Sequence, residues 1–264
     1  MLCRTVTVGL LPKITRTKQA QKTSNGKGDI VWVMSSDQNL KNNTENGTIE
    51  PGSSGKLEFY VLPKDTSAKH DFTFTLTVKW YYKNKNNSDY LPMSSKGNGF
   101  DTEKFYKLLS GHIQFFSSYD GEKYSNPLTA TATAEGITIN GLKRSTDAGK
   151  TKVTIYWVWP YYVGDMILPD GNGKLSNDEK KTLFTNDLRS AIAGEMADNN
   201  ADNYGKYFEN PIDDTSKGEI AEMVNGNIDE AAYNVIYTAY NNADKYIGEN
   251  GEYILVQLSA EMDN

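Results

Sequence analysis

The chain has 264 residues, a formal net charge of −6, one cysteine (Cys3) and two histidines (His70 and His112). With no basic block to follow a phosphate backbone, nucleic acid is excluded as an expected partner. A lone cysteine excludes an internal disulfide and a zinc site built from thiolates. No run of about 18 apolar residues is present to form a transmembrane segment. The 17 tyrosines, with abundant Thr, Asn and Gly, suit strands joined by turns.

Residues 1–12 alternate weakly through Thr5, Val6, Thr7 and Val8, continue to Leu10 and stop at Pro12, as a short strand does. They are too polar for an intact signal peptide, so an exported chain would have lost its signal or carry it outside this sequence. Leu2-Cys3 lacks the small residues that precede a lipidated cysteine. Residues 13–27 are polar and basic and read as a linker. Residues 1–28 thus form a strand and arm, either an edge of the same domain or an arm that pairs with a neighbouring subunit.

Strands are expected at 29–34, 56–62 and 71–82, the first two separated by an Asn/Gly/Ser-rich connection closing on Glu50-Pro51-Gly52. The third puts Phe72, Phe74, Leu76, Val78 and Trp80 on one face and Thr73, Thr75, Thr77 and Lys79 on the other. A helix is expected within 101–116, with Phe105, Leu108 and Leu109 on one side. Alternation returns at 128–139, followed by a turn at Asn140-Gly141. A tryptophan-rich strand covers 152–159.

Helical periodicity then takes over. At 176–198, Ser176 and Glu179 fit a capping box, and Phe184, Leu188, Ile192 and Met196 recur every four residues. Further helical stretches cover 216–224 and 228–243. Residues 252–261 return to strand, apolar on both faces, which belongs in mid-sheet. Because that last strand needs partners, the helical block reads as an insertion. The expected fold is mainly β: residues 29–264 form a single antiparallel β-sandwich, with helical insertions chiefly at about 164–247, between the Trp-rich strand and the C-terminal strand.

Four segments in order resemble the TasA/camelysin family, the exported proteins processed by a SipW-type signal peptidase in Gram-positive bacteria. They are Ile49-Glu-Pro-Gly-Ser-Ser-Gly-Lys-Leu-Glu-Phe-Tyr-Val61, Val153-Thr-Ile-Tyr-Trp-Val-Trp-Pro-Tyr161, Asn241-Asn-Ala-Asp-Lys-Tyr-Ile-Gly248, and residues 253–262. Together they span the chain from about residue 28 to its end. Lys245 stands where the family has Thr, and the segment between Trp159 and Asp244 is longer than in short members. The resemblance implies a jelly-roll sandwich, secretion to the cell surface or a biofilm matrix, and a homopolymeric fibre. In such a fibre an N-terminal strand (here Thr5, Val6, Thr7, Val8 and Leu10) completes the neighbouring subunit's sheet. Other surface or matrix components are further expected partners. The alternative is a monomeric surface adhesin or carbohydrate-binding module.

Chemistry-bearing motifs are sparse. The histidines stand in unrelated contexts with no His-Glu-x-x-His helix, and both read as surface or satisfied polar residues. Asp170, Asn172 and Glu179 fit positions of a calcium loop, but Leu168 holds its first ligand position and cannot ligate. That stretch reads first as a Gly-rich turn into the Ser176-capped helix, and as a calcium loop only second, with Asp165 able to reach an ion from outside the register. Asp213-Asp214, Glu219 and Glu222 read as solvated charge. Trp157, Trp159, Tyr161 and Tyr162 suit either a sandwich core or an aromatic carbohydrate platform. No nucleophile elbow, phosphate loop or dinucleotide fingerprint is present. The expectation is a protein without catalytic residues or cofactor, calcium apart.

Overall fold

The computed structural model describes residues 4–10, 28–35, 50–63, 70–84, 89–97, 99–146, 151–169, 183–199, 205–251 and 253–262. The strands are β1 (Arg4–Leu10), β2 (Gly28–Ser35), β3 (Ser54–Pro63), β4 (His70–Lys83), β5 (Tyr90–Pro92), β6 (Gln114–Tyr119), β7 (Tyr124–Pro127), β8 (Ala130–Thr133), β9 (Gly136–Thr146), β10 (Thr151–Val158) and β11 (Tyr253–Met262). The helices are α1 (Thr102–His112), α2 (Val163–Ile167), α3 (Asn186–Ala197), α4 (Asp214–Met223) and α5 (Glu230–Asn250). The chain is mixed α/β with two antiparallel sheets, so the mainly-β expectation undercounts the helices.

One sheet runs β1-β11-β4-β9-β8, with β5 on β4, and the other runs β2-β3-β10-β6-β7. Take β1, β3, β4, β6, β7, β9, β10 and β11 as the principal strands. The first then pairs with the last, the second with the seventh, the third with the sixth and the fourth with the fifth. Such nesting results when one long antiparallel hairpin folds over on itself.

Side-chain alternation decides which faces meet. On β4, Phe72, Phe74, Leu76, Val78 and Trp80 are buried while the intervening Thr and Lys are half-exposed. They join Leu57 of β3, Ile137 and Ile139 of β9, Val153 and Ile155 of β10 and Ile254 and Val256 of β11 in one cluster. Both sheets therefore contribute to a single core. β11, apolar on both faces, lies between β1 and β4. Beyond Val78, β9 no longer flanks β4. There the Tyr106 hydroxyl, from α1, accepts from Trp80 N at 2.9 Å and donates to Trp80 O at 3.3 Å, replacing the missing ladder bonds.

The structure corrects several local expectations. Residues 128–139 are not one strand but part of the β8–β9 hairpin. Asn140-Gly141 is not a hairpin turn: the β4 register shifts there between Phe74 and Leu76, and Gly141 has φ +76°. This is a bulge, two residues facing one, with glycine in the left-handed region. The 101–116 helix ends at His112, and β6 follows at once. Within the stretch expected to be helical at 176–198, the described helix is Asn186–Ala197, capped by the Thr185 side chain accepting from Leu188 N. Phe184, buried as its spacing required, forms a parallel bridge to Tyr124 instead. The 228–243 helix runs on to Asn250, carrying residues 241–248 into α5.

A second cluster unites α2–α5 with Phe116, Tyr124 and Val158 of the β2-containing sheet. α5 serves both clusters: Tyr233, Ile236 and Tyr240 belong to the second, Ala243 and Ile247 to the first. Its exit is tightly fitted, since a Cβ at Gly251 would lie 2.0 Å from Trp80 Nε1. Gly251 has φ −130°, so its constraint is space and not backbone conformation. Gly251→Ala should therefore cost about 1–3 kcal/mol by overpacking. Gly194→Ala, on α3 with nothing within 4 Å, should instead stabilise by up to about 1 kcal/mol. Urea denaturation of both variants checks the contrast.

Candidate functional site

Thr5, Val6, Thr7, Val8 and Leu10 all lie in β1, which pairs antiparallel with β11 of the same chain from Arg4↔Ala260 to Leu10↔Ile254. β1 is the terminal strand of its sheet. Asp170, Asn172 and Glu179, like Cys3 and the Ser176–Glu179 box, fall outside the described residues. Among the described residues no group of three or more His, Cys, Asp or Glu side chains could hold a metal ion. No described helix is long and apolar enough to cross a membrane.

A buried polar group joins the two clusters. His112, the last residue of α1, is fully buried. Its Nε2 lies 3.0 Å from the Tyr207 carbonyl and its Nδ1 2.6 Å from Asp244 Oδ1 on α5. A carbonyl only accepts, so Nε2 carries a proton. One further proton must then sit between Nδ1 and the carboxyl, since two lone pairs would otherwise face each other. Trp159, just past β10, donates its indole N–H to the same Asp244 oxygen at 2.7 Å. The Tyr240 ring stacks on the imidazole at 4.1 Å. Gly111 admits the loop that supplies the Tyr207 carbonyl, because a Cβ there would meet Lys206 O at 1.9 Å. Of the two expectations for His112, satisfied polar residue or surface residue, the first is the observed one.

Sequence reading passed over the role of Asp244. Its signal was an acidic residue within the apolar stripe Tyr233, Ile236, Tyr240, Ala243 and Ile247. Asp213 and Asp229, by contrast, are helix caps, accepting from Ser216 N and from Ala231 and Ala232 N. Glu222 is exposed, and Glu219 half-exposed.

A second buried polar group lies inside the helical cluster. Asp165, on α2, is 5% exposed, and burial pushes its carboxyl up to about 7, against the opposing pull of Arg189. Arg189 is fully buried and donates to the Phe184 and Leu168 carbonyls. Burial also raises the Tyr233 hydroxyl well above its ordinary value, with the Asp165 charge adding to it.

The aromatic residues divide. Trp159 is buried in the core and Trp157 half-buried, while Tyr161 is 52% exposed. Tyr161 sits on the Glu50–Ser53 turn, where Gly52 has φ +90° and a Cβ would come within 3.0 Å of the Tyr161 ring. That turn is tied to the end of β10 by Gly52 N donating to Trp159 O at 2.7 Å and Trp159 N to Ser53 O at 2.9 Å. Tyr161 meets Tyr162 edge-on at 4.5 Å, and Tyr162 contacts Tyr237 of α5 at 5.9 Å.

Compared with known proteins, the chain matches no family model, no curated protein and no solved structure.

Removing one member of a buried hydrogen-bonded pair leaves the other unsatisfied. His112→Ala should therefore cost about 1–3 kcal/mol or more, and a double-mutant cycle with Asp244→Ala should give a coupling above about 1 kcal/mol. Additive losses in denaturant unfolding would show that the two residues act separately. A calorimetric titration of the full chain with millimolar calcium should give no heat if the 170–179 segment is only a turn.

Proposed function

We propose that this chain is the structural subunit of an extracellular fibre of the TasA/camelysin kind, polymerising by donation of β1. The observation that carries the reading is β1 itself. It is a terminal strand at Arg4–Leu10, ahead of the linker stretch 11–27, and its pairing with β11 is made through the backbone. Backbone bonds do not distinguish a chain's own strand from a neighbour's, so the same register can be filled by the β1 of another copy. By its length alone the stretch 11–27 could span at most about 55 Å fully extended. Each copy would then both give and receive a strand, and such a head-to-tail contact grows into a filament.

Two further features support it. The nested strand pairing is the arrangement of a jelly-roll sandwich, the fold the resemblance implies. The segments that carry the resemblance also converge: β3 pairs with β10, the Pro51-Gly52 turn docks on Trp159, and Asp244 bonds the Trp159 indole.

Negative-stain microscopy of the purified chain should show filaments, and deletion of residues 1–12 should abolish them. A truncated chain that still polymerises overturns strand donation. The seated, half-exposed ring of Tyr161 favours a second reading, a monomeric surface module that binds carbohydrate. In that case the chain should run as a monomer on size exclusion, and Tyr161→Ala should weaken retention by neutral polysaccharide in affinity electrophoresis at least tenfold.

A further inference from the structure

We propose that Asp165 is a proton-operated latch on the helical block: with its proton it holds α2 against α3 and α5, and on ionising it loosens that packing. The placement is specific. α2 is the first element after the chain leaves β10, and all five of its residues are buried. Whatever disturbs α2 therefore acts where the block joins the sheet.

Among the described residues, the groups that face Asp165 are Arg189 from α3 and Tyr233 and Tyr240 from α5, with His112 and Asp244 beyond Tyr240. Arg189 attracts a carboxylate, yet two of its N–H groups donate to the Phe184 and Leu168 carbonyls. Tyr233 places its hydroxyl 2.7 Å from where a Cβ on Gly164 would stand, beside Asp165. Asp165 Oδ1 is buried without a hydrogen-bond partner, and the Tyr233 hydroxyl beside it is directed at the Gly164 backbone. A buried carboxylate that accepts no bond at one oxygen is costly. A neutral carboxyl avoids the charge and gains an O–H to donate, so the closed block favours the protonated form.

The sign follows from linkage. An exposed aspartate titrates near 3.9, as Asp165 would in an opened block, whereas in the closed block its carboxyl lies at about 7. The closed state therefore holds a proton that the open state releases between those values. Closure is strongest below about pH 4, weakens as pH rises to about 7, and changes little above that. The opening equilibrium should rise on the order of 50-fold from pH 5 to 7, and only about twofold more by pH 9. This holds whether or not the chain forms fibres.

Hydrogen exchange of the full chain, corrected for intrinsic rates, tests it across pH 5–9. Amides of α2, α3 and the first half of α5 should lose protection over pH 5–7 and then level off, while β4 and β9 stay unchanged. Asp165→Asn should flatten that dependence. A flat wild-type profile, or an unchanged slope in the variant, overturns the proposal. Should the variant fail to fold, a carboxyl carbon NMR titration of wild-type Asp165 decides: a midpoint near 4 sinks the latch, and one near 7 supports it.

Discussion

A histidine in an apolar interior must be satisfied at both ring nitrogens, and His112 is satisfied by groups far away in sequence. The Tyr207 carbonyl comes from the connection between α3 and α4, Asp244 comes from α5, and the indole of Trp159, at the end of β10, shares the same carboxyl oxygen. Their common position, at the seam between the two hydrophobic clusters, means that neither cluster can shift without breaking a buried hydrogen bond. Apolar packing alone is non-directional. The shared proton fixes the angle and register at which the helices meet the sheets.

The rest of the architecture follows from that seam. α5 is long enough to serve both clusters, and its last turn delivers the chain to β11, between β1 and β4. Lys96 caps that end, donating to the Asn250 carbonyl at 2.9 Å and to its side-chain oxygen at 2.6 Å, where a cation also suits the helix dipole. Because β11 is placed by α5, the surface that receives β1 depends on the helical block. The strand proposed to leave in the fibre is thus paired with an element whose position the buried network sets. The Pro51-Gly52 turn, locked to Trp159, extends the same constraint to β3 and to the exposed ring of Tyr161.

Where alternation was strict, the sequence was legible. β4 shows it best: five apolar residues at every second position can be buried together only on a strand. Leu108, Leu109, Ile192 and Met196 were likewise recognisable as a core, since period is local information. Boundaries were less legible. Thr185 was not singled out by its spacing, yet its side chain caps the described helix Asn186–Ala197. Asn140-Gly141 has the chemistry of a turn, but it became a bulge because β4 supplies a continuous partner on both sides of it. Local preference offers such sites, and the neighbouring strand chooses among them.

The sequence by itself determined that the chain alternates strands with an inserted helical block, that its final strand must be central, and that its one cysteine cannot form an internal disulfide. Each of these depends only on residue type and spacing. The tertiary structure alone decided that the strands pair in nested order, that His112 is a buried partner of Asp244 and Trp159, and that Asp165 is enclosed beside Arg189 and Tyr233. Those outcomes depend on which distant side chains share a low-dielectric interior, and no local period records that.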